Sequence, residues 1–141
     1  MTKVSNEFKV FNEVENPADL VVEHAEKLAA SLTTKSTNEP TKSQMRRFYQ
    51  EYLKLRQRIK SGGEDAYKKN EVALKMLISK AKYATGRQNV KVPEEFVKWF
   101  EENIKAINSA KDVETFGQYF EAFMGYFYDK QSQSNNQRGG R

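Results

Sequence analysis

Apolar side chains return every three or four positions through five stretches of this chain, and each stretch is bounded by a helix start or stop signal. Such spacing gathers them on one side of a 3.6-residue turn, whereas a half-buried strand needs alternation. The first stretch carries Leu20, Val21, Ala25, Leu28 and Leu32 behind Asn16-Pro17, a capping residue followed by proline at the first helical position. The second opens at Thr41, with Gln44 three places on as a capping box. It continues through Met45, Phe48, Tyr49, Tyr52, Leu55 and Ile59 to Ser61-Gly62-Gly63. A third runs from about Glu64 to Thr85, with Tyr67, Leu74, Leu77, Ile78, Ala81 and Ala84 inward and Gly86 as its stop. Pro93 opens the fourth, which has Glu94 and Glu95 in its first turn and Phe96, Trp99, Phe100, Ile104 and Ile107 for its core. The fifth, about Asp112 to Lys130, holds Phe116, Tyr119, Phe120, Phe123, Tyr126, Phe127 and Tyr128.

These signals predict an all-α fold, a compact bundle of about five helices in one domain over residues 16–130. Residues 1–15 form a flexible or extended N-terminal arm, since one lone extended segment (7–14) makes no sheet. The polar, Gly-containing residues 131–141 form a disordered C-terminal tail. No stretch approaches the roughly 20 apolar residues that span a bilayer, and the N-terminus has no apolar signal-peptide core, so a cytoplasmic protein without membrane contact is expected.

The inventory argues against catalysis. There is no cysteine, and His24 is the single histidine, so neither a zinc cluster nor a thiol nucleophile is available. No phosphate-cradling Gly-rich loop and no Gly-x-Ser-x-Gly elbow occurs. The paired acids Glu94-Glu95 and Glu101-Glu102 point in different directions around a helix and read as solvated faces. The expectation is no catalytic residues, no metal and no cofactor.

Charge is placed unevenly. Residues 41–91 carry 14 Lys and Arg against 4 Asp and Glu, while the segments on either side are each slightly acidic. A localised excess of this kind attracts polyanions. Residues seven apart on a helix differ by only about 20° in direction, so Lys68, Lys75 and Lys82 form one stripe, with Lys69, Lys80 and Arg87 near it on the side leading into the following loop. Arg47, Lys54 and Arg58 share a flank of the preceding helix. Joined by the short Ser61-Gly62-Gly63 turn, the two helices are expected to align these cations along a common groove that engages phosphates. Tyr49, Tyr52 and Tyr83 fall on or beside apolar stripes and are read as packing residues. The fifth helix has aromatics on more than one face, which leaves Tyr119, Tyr126 and Tyr128 as candidates for a protein interface or for deep burial.

Three segments in order resemble the small helical subunit of type III-A CRISPR (Csm) effector complexes. They are Thr41-Lys42-Ser43-Gln44-Met45-Arg46-Arg47-Phe48-Tyr49, then Lys80-Ala81-Lys82-Tyr83-Ala84-Thr85-Gly86-Arg87, then Phe116-x-x-Tyr119-Phe120-Glu121-Ala122 with Tyr126 and Tyr128. The resemblance covers about Thr41 to Tyr128. It implies a non-catalytic subunit of an RNA-guided defence complex that recognises foreign transcripts. Its partners would be guide RNA, target RNA or single-stranded DNA, and the other subunits of the complex, with self-association a further option. Carried over by position, Arg46, Arg47 and Arg87 are the nucleic-acid contacts, and the helical-face argument adds Lys54, Arg58, Lys75 and Lys82. The competing expectation is an architectural helical protein that self-associates through its aromatic C-terminal helix without touching nucleic acid.

Overall fold

The structure, a computed structural model, describes residues 8–33, 39–85 and 92–139, with the backbone alone at 33, 39–41, 85 and 129–139. After a single 3-10 turn at Phe11–Glu13, four longer helical runs make up most of the described chain, and no strand occurs among the described residues. The first, α1 (17–33), is interrupted by a π-helical turn at Leu20–His24. The second, Glu39–Thr85, breaks at Gly63 into α2 (39–62) and α3 (64–85). Then come α4 (Glu94–Ala106) and α5 (Ala110–Gly139). Five rods therefore come from four runs, as the periodicity requires.

The start signals act where expected in α1. Asn16 Oδ1 accepts a 3.0 Å hydrogen bond from the Ala18 N–H, and Pro17 follows it. The π turn has a sequence reason. Leu20 and Ala25 are five residues apart, which in a regular helix puts them about 140° out of phase. Bonding the Ala25 N–H back to the Leu20 carbonyl adds one residue to the turn and brings both to the buried side. Thr41 does not open α2, because the helix is already formed from Glu39. Gly86, the expected stop of α3, lies outside the described residues.

Gly63 takes φ 68° and ψ −147°, a backbone region open essentially to glycine alone. Ser61 and Gly62 stay helical, so the whole reversal falls on this one residue. It turns the chain back on itself: Lys80 Nζ lies 3.3 Å from Glu51 Oε1. An unbroken helix would hold residues 29 positions apart at about 43 Å.

Helix α5 is the axis around which the others pack: α1, α2 and the N-terminal arm all lie against it, and α4 covers the hairpin. Its aromatic residues build the core. Phe120, with no exposed surface, meets the rings of Tyr49, Tyr52, Phe96, Trp99, Phe100, Phe116 and Phe123 at centroid distances of 5.1–6.5 Å. Each such ring contributes its buried area and favourable edge-to-face or offset geometry. Arg56 lies across α5 at Gly117 and pairs with Glu114 at 2.8 Å and Glu121 at 3.1 Å. A Cβ at position 117 would stand 2.6 Å from Arg56 Cδ, so the glycine is what lets the guanidinium reach both acids. The hydrogen bond with Arg56 holds the Glu114 carboxyl below the usual range.

From Phe8 onward the N-terminal arm is fastened down. Phe8 and Phe11 are buried, the Phe11 N–H donates to Asn103 Oδ1 at 2.8 Å, and the Tyr119 hydroxyl donates to the Lys9 carbonyl at 2.8 Å. Asn103 is the buried polar side chain of α4, and its Nδ2 donates to the Trp99 carbonyl at 2.8 Å.

Burial pushes the Tyr119 hydroxyl up to about 12 and that of Tyr52 well above the ordinary phenol range. Unfolded tyrosines lose their protons near pH 10, while these two keep theirs in the fold. Stability is therefore fully present below about pH 10 and falls as pH rises toward 12. In an alkaline titration the last phenolate absorbance should rise together with loss of the helical circular dichroism signal. Complete ionisation of all seven tyrosines with the helices intact would show that Tyr52 and Tyr119 are not held as described.

Candidate functional site

The Gly63 reversal lays α2 and α3 side by side, and a trough runs along their seam. One end is a concavity of about 340 Å³ lined by Gln44, Arg47, Phe48, Glu51, Ser79, Lys80, Tyr83 and Ala84. The adjoining stretch, about 310 Å³, is lined by Glu51, Lys54, Leu55, Arg58, Ala73, Leu77 and Lys80. Glu51 and Lys80 line both, so the two lie end to end along the seam with the Glu51–Lys80 pair between them. Its floor is the apolar contact between the helices, with Phe48, Leu55, Leu77 and Ala84 all buried.

Arg47, Lys54 and Arg58 stand exposed along the α2 wall and make no ion pair or hydrogen bond with another described residue. Lys80 supplies a fourth cation from the α3 wall. Its pair with Glu51 is solvent-exposed and weak, of a kind worth roughly 0–1 kcal/mol, so a phosphate can compete for it. Four cations against one carboxylate give the trough a positive surface.

Other expected contacts are placed elsewhere. Arg46 points to the α2–α5 seam, where its Nε donates to Tyr128 Oη at 3.1 Å and its guanidinium sits 5.2 Å from the ring centroid. The Lys68–Lys75–Lys82 stripe does not face the trough. Lys75 Nζ donates to the Ile104 and Ile107 carbonyls at 2.7 Å each, closing the C-terminus of α4. Burial lowers its pKa, and its ammonium is engaged by these two carbonyls. Lys82 pairs at 3.2 Å with Glu101 of α4, an acid also held by Lys105 at 2.8 Å. Arg87 lies outside the described residues.

The aromatic expectations divide in the same way. Tyr52 is buried and donates to the Val113 carbonyl at 2.6 Å, and Tyr49 packs edge-on to Phe120. Tyr83 is not a packing residue: it is 72% exposed at the rim of the trough. Tyr119 has no exposed surface and is a core residue beneath the N-terminal arm. Tyr126 and Tyr128 are half-buried against the core.

Missed by the sequence reading was Arg56 as the α2–α5 clamp, and Lys80, expected near the Lys68–Lys75–Lys82 stripe, stands on the trough side of α3 instead. The signal for Lys80 was present. The apolar face of α3 has a basic flank on each side, Lys68, Lys75 and Lys82 on one and Lys80 on the other.

Among the described residues no group of three or more His, Cys, Asp or Glu converges on a metal-sized site, and no helix is long and apolar enough to cross a membrane. The sequence model of the Csm2 Type III-A family matches residues 15–132. The chain belongs to that family. The match takes in α1 and all of the hairpin, and so extends well beyond the three segments that first carried the resemblance. As a Csm2 Type III-A protein it is a small subunit of a multi-subunit type III-A CRISPR complex. No curated protein and no solved structure matches the chain.

Proposed function

We propose that the α2–α3 trough is where this Csm2 Type III-A subunit holds the sugar–phosphate backbone of the guide–target duplex or target strand, as a non-catalytic part of a cytoplasmic RNA-guided defence complex. One observation carries the reading: Arg47, Lys54 and Arg58 line one wall without a described partner, opposite Lys80 on the other. Exposed cations with no intramolecular use are the means by which proteins grip phosphates irrespective of sequence. A guide–target duplex differs in sequence with every guide, so contact through its backbone is the appropriate mode.

The test is the salt dependence of RNA binding by the full chain. For three to four phosphate contacts, log K should fall with log salt at a slope of about −2 to −3 on single strands, at roughly −0.7 per contact. Fluorescence anisotropy with oligonucleotides of unrelated sequence should give the same slope for each. A flat salt response, or affinity confined to one sequence, would refute the phosphate-gripping trough.

A further inference from the structure

The chain has seventeen aromatic residues, and sixteen of them are buried or half-buried. Tyr83 alone is exposed, and it stands at the end of the trough that Arg47 and Lys80 also line. We propose that this end of the trough is a nucleotide site, in which Tyr83 stacks on one unpaired RNA base while Arg47 and Lys80 take the phosphates on either side. The inference rests on the trough reading above and adds what that reading leaves open, a preference for a splayed single-stranded nucleotide at one position.

Three properties of the concavity support it. Its volume of about 340 Å³ falls within the range of small-ligand sites, roughly 300–1,000 Å³. Its apolar floor, Phe48 and Ala84, is buried and offers a base no polar group to desolvate, while the cations are confined to the walls. Gln44 in the lining has an amide that both donates and accepts, and so can meet the edge of any base. An aromatic face beside cations is the general means of binding single strands without sequence preference, because every base has a π-face. Within a continuous duplex the bases are already stacked on one another and none is free to lie on Tyr83. The position therefore discriminates between strand and duplex.

The experiment uses the full chain at low salt with two probes, a ten-nucleotide single-stranded RNA carrying one 2-aminopurine and a ten-base-pair blunt RNA duplex. Tyr83→Ala should weaken strand binding about tenfold or more and leave duplex binding unchanged, whereas Tyr83→Phe should keep both. Quenching of 2-aminopurine by the wild-type and Tyr83→Phe proteins should disappear with Tyr83→Ala. Thermal melts of the variants exclude a folding defect, which the exposure of the ring makes unexpected. Strand affinity and quenching that survive Tyr83→Ala overturn the site, as does an equal loss on strand and duplex. If the triple reversal of Arg47, Lys54 and Arg58 then still weakens RNA binding, the trough stands and only the nucleotide site falls. If neither change affects RNA, both fall, and the exposed ring belongs to a contact with another protein.

Discussion

The combined variant Arg47→Glu, Lys54→Glu and Arg58→Glu is expected to lose roughly a hundredfold or more in RNA affinity at low salt, and its salt slope should become shallower by about 2 (three contacts at roughly 0.7 each). The loss should be the same for every sequence, because phosphates carry no base information. All three side chains are exposed and none contributes to a described ion pair or hydrogen bond, so melting temperature should hardly move. Arg46→Glu is the informative comparison. It sits one residue from Arg47 but stacks on Tyr128 at the other side of α2, so it should leave the salt slope as it was. Anisotropy titrations across a salt series, run beside thermal melts, decide the matter. A triple variant with the wild-type slope would mean that the nucleic acid is gripped elsewhere.

The largest effect on stability is expected at Phe120→Ala. This ring has no exposed surface and seven aromatic neighbours drawn from α2, α4 and α5, so its removal opens a cavity that no single side chain can fill. Truncating a buried phenylalanine costs about 3–5 kcal/mol, which for a chain of this length lowers Tm by roughly 10–15 °C. Phe120→Leu, which keeps most of the volume, should lose much less. Thermal denaturation followed by circular dichroism measures both. If Phe120→Ala melted within a few degrees of the wild type, the aromatic cluster would not be the principal source of cohesion.

The architecture was legible because its determinants are local. Ala25 to Leu32, Met45 to Ile59 and Phe96 to Ile107 each show their buried face through spacing alone, and Asn16-Pro17 and Pro93 mark starts that the structure keeps. What spacing could not show was the phase of one helix against its neighbour. Nothing within α3 says whether the Lys75 flank or the Lys80 flank faces α2; that depends on the turn at Gly63 and on where α4 packs. Lys75 and Lys82 were legible as cations but not as residues already engaged, because their partners, the end of α4 and Glu101, lie about 20 to 30 positions further on. For Tyr119 spacing left interface and deep burial both open, for a similar reason. The segment that covers it, around Lys9, lies 110 positions away and has no periodicity of its own.

The one-residue reversal at Gly63 makes the binding surface a matter of chain length as much as of composition. Arg47 shares one end of the trough with Lys80 and Tyr83, and Arg58 shares the other with Ala73, because α3 returns antiparallel to α2 from the tip. One extra residue there would rotate α3 by about 100° about its own axis, moving Lys80 off the α2 wall although no side chain had been altered. Among relatives of this chain, the count of residues between the two basic rows should therefore be guarded more strictly than the identity of any single lysine.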